Sequence, residues 1–325
     1  MIGNSPADRL RIPGGAIIIN TKTVILSFEV YSMRKMLFIL NPCAGTRRVN
    51  RYLPDILSLF NGAGYEVTTY VTRGVGDGTR IAQTRARDFD LVVCAGGDGT
   101  LNETITGTLR GCSETPIGYI PCGSTNDFAS SLKIPSNIMQ AAQAILDGTP
   151  TAYDVGKFAD RYFSYVASFG AFTRVSYSTP QNVKNALGHL AYVLDGMQEI
   201  PQIRKTHVKL ELDGQMIEDD FLFGAISNST SVGGVLTLNP ELVDLQDGKF
   251  ELLLVRKPRD MVELAECIAA LREQKYNCSA ITFRSFSQLT IWPDPNMPWT
   301  LDGEKEQGHE CIEIENLRHA IKLIL

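Results

Sequence analysis

The sequence predicts an α/β unit built on a parallel sheet, followed by a mainly β unit. Three observations carry that expectation. Between Leu37 and Leu146 short apolar runs alternate with stretches of helical spacing, the pattern of β-α-β crossovers. A glycine-rich turn, Gly96-Gly97-Asp98-Gly99-Thr100, joins the apolar run Leu91 to Ala95 to a helix. After Pro150 the texture changes to short strand-like runs separated by turn signals.

Met1 to Ser32 comes first and fits neither unit. Its apolar runs, Ala16-Ile-Ile-Ile and Val24-Ile-Leu, are broken by Asn20, Thr21 and Lys22 before a signal-peptide core forms. We read residues 1–32 as an extension from an upstream start or a cloning remnant, with an added edge strand as the alternative. Leu37 to Leu40 is then a first strand, and Val49, Tyr52, Leu53, Ile56, Leu57 and Phe60 recur at helical spacing until Gly62 and Gly64 stop the helix. Tyr65 to Val71 alternates as a second strand, and the Gly74 to Gly78 loop leads to a helix with Thr79 near its start. Leu91 to Ala95, apolar throughout and partly β-branched, reads as a strand buried on both faces. Ile117 to Ile120 is a fourth strand, and Asn137 to Leu146 an amphipathic helix stopped by Gly148.

The first domain is thereby placed at 33–150 and the second at 151–325. Strands of the second are expected at Tyr153 to Phe158, Tyr162 to Phe169, Val208 to Leu212, Phe221 to Ser227, Lys249 to Val255, Ile281 to Phe283, Leu289 to Trp292 and Cys311 to Ile314. Asp160-Arg161 and Asp213-Gly214 are the hairpin signals. Helices interrupt at Ala186 to Gln198 and Met261 to Gln274. His319 to Leu325 is a last strand free to pair with either domain.

Composition narrows the function. With 325 residues, 44% of them hydrophobic, two cores are affordable. A net charge of −5 and the lack of any dense Lys/Arg run exclude a nucleic-acid partner. Seven cysteines without a C-x-x-C pair point to free thiols in a reducing compartment, and four histidines without ligand spacing point away from zinc. No apolar run approaches the roughly 20 residues that span a bilayer, so no transmembrane segment is expected.

The candidate site grows from the third strand. Gly96, Gly97 and Gly99 lack a Cβ, so positive φ is open to them and an anion can lie against their N–H groups at a helix N-terminus. Asp98 among them implies a bound cation or a hydroxyl that needs a proton acceptor. The competing reading is a plain capping box, since Thr100 and Glu103 have its T-x-x-E spacing. In a parallel sheet the loops after strands one, three and four open on one crevice. Asn41 and Thr46 lie in the first, and Gly123, Ser124, Thr125, Asn126 and Asp127 in the last.

Four ordered stretches, Leu40-Asn-Pro-Cys-Ala-Gly-Thr, Gly96-Gly-Asp-Gly-Thr-Leu-Asn-Glu, Pro121-Cys-Gly-Ser-Thr-Asn-Asp-Phe-Ala and Leu301-Asp-Gly-Glu, resemble the bacterial soluble lipid kinases of the diacylglycerol kinase catalytic family. These are relatives of the sphingosine and ceramide kinases. The resemblance implies ATP bound between an α/β nucleotide domain and a β-sandwich lipid domain. It makes Asn41, Thr46, Gly96, Gly97, Gly99, Thr100, Asn102, Glu103, Gly123, Ser124, Asn126 and Asp127 the nucleotide-binding set. Asp98 then works beside the transferred phosphate and Glu304 is the general base, whereas Asp302 is equally a hairpin-turn residue.

The same resemblance implies Mg2+ at Asp247, with the backbones of Asp244 and Lys249. Read without it, Asp247-Gly248 is a hairpin turn. It further implies a lipid partner met peripherally at the cytoplasmic face of the cell membrane, and it is compatible with a homodimer. Two positions depart from the pattern: Ser130 stands where relatives carry Arg, and Asp195 where they carry Lys. Lys133 and Lys157 are the candidates to compensate, and Asp154 matches. The rival readings are an NAD kinase-like phosphotransferase, which shares the GGDGT turn, and a catalytically weak lipid-binding or regulatory protein.

Overall fold

Strands apolar on both sides require cover on both sides, and the computed structural model of the chain supplies it. The structure describes residues 16–20, 23–27, 33–170, 205–232 and 236–325. At the N-terminus β1 (Ala16–Asn20) and β2 (Thr23–Ser27) pair antiparallel as a sheet of their own. They are not the extra edge strand that the sequence left open. β3 (Arg34–Leu40), β4 (Tyr65–Val71), β5 (Leu91–Gly96) and β6 (Ile117–Pro121) run parallel in the order β6-β5-β3-β4.

The alternation within β3 sorts the helices. Leu37 and Ile39 face one core with Ile81, Ala82, Leu101 and Ile105, which belong to α2 (Asp77–Arg85) and α3 (Asp98–Arg110). Met36, Phe38 and Leu40 face another with Val49, Ile56, Phe60, Ala141 and Ile145, from α1 (Val49–Gly62) and α5 (Ile138–Asp147). Between them α4 (Asp127–Ser131) is a short turn of helix after β6. Asn137 caps α5, its side chain accepting from the N–H groups of Met139 and Gln140.

The β half comprises β7 (Pro150–Phe158), β8 (Arg161–Phe163), β9 (Val166–Gly170), β10 (Thr206–Leu212), β11 (Gln215–Ser227), β12 (Ser231–Val232), β13 (Leu236–Thr237) and β14 (Phe250–Arg256). After α6 (Met261–Arg272) come β15 (Ile281–Phe286), β16 (Gln288–Trp292), β17 (Trp299–Leu301), β18 (Glu304–Glu306) and β19 (Ile312–Ile324). Its core is aromatic: Trp299 is fully buried, with Phe158 at 5.0 Å and Phe169 at 4.9 Å between ring centroids.

Three sequence expectations need correction. The run Tyr162 to Phe169 is not one strand but β8 and β9, because the N–H groups of Ser164, Tyr165 and Val166 bond to the Asp302 carboxylate. The β7–β8 turn sits on Ala159-Asp160, one residue before the expected pair, with Ala159 at φ 51° and Phe158 opposite Arg161. Cys311 to Ile314 and His319 to Leu325 are one strand, β19, irregular between Leu317 and Ile321. By contrast Asp213-Gly214, at φ 46° and 81°, forms the expected two-residue hairpin turn. The expected helix from Ala186 to Gln198, and Asp195 within it, lie outside the described residues.

β19 is the seam of the molecule. It pairs antiparallel with β16 and β7, and Leu323 pairs parallel with Ile117 of β6. One continuous sheet therefore runs from the parallel half into the β half, which fixes the angle at which the two face each other. Trp299→Ala should lower unfolding stability by about 3–5 kcal/mol, the usual cost of emptying a buried aromatic site; a denaturant midpoint equal to wild type would refute this packing.

Candidate active site

Three loops meet at the carboxyl ends of β3, β5 and β6. Asn41, leaving β3, donates through Nδ2 to Thr100 Oγ1 at 3.0 Å and accepts from the Cys43 N–H at 3.0 Å. A Cβ on Gly45 would lie 2.5 Å from the Cys122 carbonyl oxygen, and one on Gly123 2.6 Å from Gly97 Cα. The loops are thus stacked backbone on backbone, leaving no room for side chains. Gly96, Gly97 and Gly99 are not at positive φ, contrary to expectation. Gly96 and Gly97 serve by close approach instead; a Cβ on Gly96 would strike Thr100 Oγ1 at 2.3 Å. Thr46, Ser124 and Thr125 are exposed on the rim.

The helix after this turn starts earlier than expected. α3 begins at Asp98 with Gly97 as its cap, and the N–H groups of Thr100 and Leu101 bond to the Gly97 carbonyl at 2.9 and 3.2 Å. No Thr100–Glu103 capping box forms. Glu103 turns away and accepts from the N–H groups of Gly76 and Gly78 at 2.6 and 2.9 Å, steadying the start of α2. Asn102 also turns away, donating to Asp302 Oδ2 at 2.7 Å. Both of these side chains from the expected nucleotide-binding set are thus engaged by the protein itself.

Asn126 locks the loop after β6. At φ 53° it accepts from the Gly123 N–H at 2.8 Å and donates to the Gly123 carbonyl at 3.1 Å. The next residue, Asp127, is buried, and its N–H donates to Asp98 Oδ2 at 3.0 Å. Asp98 Oδ1 is buried without a partner. Burial pushes Asp98 up to about 7, and the nearby Asp127 and Asp302 charges add to it while the Asp127 N–H pulls back. Burial raises Asp127 as well, opposed by the Ser231 hydroxyl at 3.4 Å. A buried carboxyl with an orphan oxygen, next to two more, fits a site that takes a cation or a donated proton.

The second acid arrives from the far end of the chain. Asp302-Gly303, at φ 48° and 84°, is the tight turn between β17 and β18, with Leu301 opposite Glu304. Glu304 Oε1 lies 3.3 Å from where a Gly99 Cβ would stand, so it faces the N-terminus of α3 beside Asp98. Arg161 steadies it from behind, bonding Glu306 and reaching Glu304 Oε2 at 3.5 Å. Asp302 is both the turn residue and a buried acceptor, taking the N–H groups of Ser164, Tyr165 and Val166 at 2.5, 3.0 and 3.0 Å. Sequence reasoning missed that acceptor role; the only signal was an acid set against the apolar Trp299-Thr300-Leu301 run.

The candidate metal residues form a separate turn. Asp244 Oδ1 accepts from the Gln246 N–H at 3.0 Å and Asp247 Oδ1 from the Lys249 N–H at 2.9 Å. Gly248, at φ 81°, donates its N–H to Asp154 Oδ2 at 2.7 Å. This is no hairpin turn, because β14 pairs with β11 and β15 rather than with the segment before it. Glu251, unremarked in the sequence, is buried beside this turn with Oε2 unpartnered. Burial and then the Asp247 charge push it up to about 8. No three His, Cys, Asp or Glu side chains among the described residues converge on one point, so a cation here relies on backbone carbonyls as well.

A glycine turn at a helix N-terminus, facing a carboxylate brought from a β hairpin, is the construction of a phosphotransferase. Comparison with known proteins places it more closely. Residues 35–158 match the diacylglycerol kinase catalytic domain, and residues 166–325 the YegS C-terminal NAD kinase beta sandwich-like domain. A diacylglycerol kinase of Bacillus subtilis (strain 168) is 35% identical over 274 residues, covering 84% of this chain and 90% of its own length. One from Staphylococcus aureus (strain MRSA252) is 34% identical over 275 residues, covering 84% and 87%. The crystal structure of a diacylglycerol kinase from Bacillus anthracis str. Sterne shares the fold, with a TM-score of 0.70 at 23% identity over 90% of this chain and 97% of that one. The chain belongs to the diacylglycerol kinase family and is an enzyme of the lipid-kinase class.

The raised Asp98 has a stability consequence. An ordinary aspartate loses its proton at 3.8 but folded Asp98 near 7, so between those values the unfolded chain binds fewer protons and folding weakens as pH rises. In metal-free buffer Asp98→Asn should therefore melt higher than wild type at pH 8, with the gap shrinking as pH falls from 7 towards 4. A pH-independent gap would mean Asp98 is ionised at ordinary aspartate pH.

Proposed function

We propose that this protein transfers the γ-phosphate of ATP to the hydroxyl of a lipid at a membrane surface, diacylglycerol or a similar neutral lipid alcohol. The supporting observation is the approach of Glu304 to the Asp98 end of α3 across the cleft. In this reading the polyphosphate lies along Gly96, Gly97 and Gly99 at the helix N-terminus. Asn41, Thr46, Thr100, Gly123 and Ser124 surround it, while Asn126 and Asp127 shape the facing loop. The lipid hydroxyl, far too weak an acid to ionise alone, passes its proton to the Glu304 carboxylate as its oxygen attacks phosphorus. Arg161 keeps that carboxylate turned toward the cleft. Asp98 and Asp127 would hold a divalent cation, which when bound neutralises charge on the phosphates.

Ser130 bonds its hydroxyl back to the Asn126 carbonyl at 3.1 Å and brings no positive charge to the cleft. No described helix is long and apolar enough to cross a membrane, and the proposed contact with lipid is peripheral.

The deciding experiment is incubation with labelled ATP, magnesium and extracted lipids. Wild type should label a chloroform-soluble product, and Glu304→Gln should reduce kcat by about 10²–10⁴, the range for a lost general base. No labelled lipid above an Asp98→Ala control would remove the proposal. A second cation position is proposed at the Asp247 carboxylate with the carbonyls of Asp244 and Lys249, beside the buried Glu251, whose Oε2 has no hydrogen-bond partner. EDTA should lower the melting temperature and Mg2+ restore it, an effect that Asp247→Asn should abolish; the same EDTA shift in that variant would place the cation elsewhere.

A further inference from the structure

Asn102 and Asp302 are 200 positions apart in sequence yet share a 2.7 Å hydrogen bond in the interior. Asn102 lies one helical turn beyond Asp98 on α3, and Asp302 lies two residues before Glu304. The bond therefore joins the helix that carries one proposed acid to the turn that carries the other. Asp302 is buried and receives four N–H donors. Three come from Ser164, Tyr165 and Val166 of the β half; Asn102 supplies the fourth, from the parallel half. Asn102 Nδ2 also lies 3.2 Å from the Tyr162 carbonyl and 3.4 Å from Ser164 Oγ.

The route from this bond to Glu304 is short and stiff. Asp302 and Gly303 both sit at left-handed φ, and Glu304 pairs directly with Leu301. Two peptide units in a closed turn leave little freedom to absorb a shift of Asp302, so it passes to the Glu304 backbone, from which the carboxylate is projected.

We infer that Asn102 is a positioning residue, setting Glu304 against Asp98 by gripping Asp302. Its amide nitrogen is engaged within the protein, by Asp302, the Tyr162 carbonyl and Ser164. The inference rests on Glu304 acting as the base in the proposed reaction. The bland alternative is that Asn102 simply fastens the two halves together.

A double-mutant cycle on kcat separates these. Asn102→Ala should lower kcat by at least about tenfold while changing KM for ATP less than about twofold, and in a Glu304→Gln background it should cost under about twofold more, because residues acting as one unit are non-additive. Asn102→Asp, the same shape with the donor removed, should behave alike. An equal kcat loss in both backgrounds, or no loss in wild type, would overturn the inference. Failure of both variants to fold would also overturn it, since the bond would then be fastening the halves rather than setting an acid. Wild type that phosphorylates no lipid, or Glu304→Gln with full activity, would instead sink the reading of the reaction beneath it.

Discussion

The Asp302 carboxylate is the constraint on which the arrangement depends. Four N–H groups point at its two oxygens in a largely buried space. Hydrogen bonds to a charged acceptor contribute roughly 1.5–3 kcal/mol each. Burial pushes the carboxyl above its ordinary range and these donors draw it back, so the group tolerates its position only while all four remain in place. That condition interrupts the Tyr162 to Phe169 run, orients the β17–β18 hairpin and ties α3 to the β half. The cleft is a consequence of satisfying one buried acid.

The crevice itself is crowded with like charge. Burial raises Asp98, Asp127 and Asp302, the Asp127 and Asp302 charges raise Asp98 further, and Tyr165 beside them is driven well up, by burial first and then by these same three carboxylates. Such a site favours positive charge, and among the described residues the nearest ion pair, Arg161 with Glu304 and Glu306, lies at its outer edge. The helix N-terminus and the stacked glycine loops offer N–H groups to an anion. Anion-binding backbone and cation-seeking carboxylates side by side suit a nucleotide that arrives with a metal ion, and either alone would fit poorly.

A second buried acid performs the same office at the seam. Asp154 accepts from the N–H of His319 at 2.8 Å and of Gly248 at 2.7 Å, pinning the irregular point of β19 to the Asp244–Lys249 turn. His319, at φ 53°, adds its ring to the Gln246 carbonyl at 3.0 Å. The strand that joins the two halves is therefore fixed at its one weak register, so the sheet is continuous without being uniform.

Much of this was legible in the amino-acid order. Alternation of short apolar runs with helical spacing determined the parallel half, since a strand such as Leu91–Gly96 has no polar face to give to solvent. The Asp213-Gly214 turn was equally local, needing only two residues that accept left-handed φ. Grouping Asn41, Thr100, Asn126 and Asp127 at one edge followed from the parallel sheet, whose loops open on one side. What only the tertiary structure decided is where a polar side chain finds its partner. Asn102, Glu103, Asp302 and Glu251 look in sequence like a motif residue, a capping glutamate, a turn and a strand position. Their roles come from atoms 25 to 200 residues away or, for Glu251, from one buried oxygen left without a partner. Local spacing specifies backbone conformation because neighbours set φ and ψ; it cannot specify hydrogen bonds made across a fold, because those exist only once burial has removed water as the alternative.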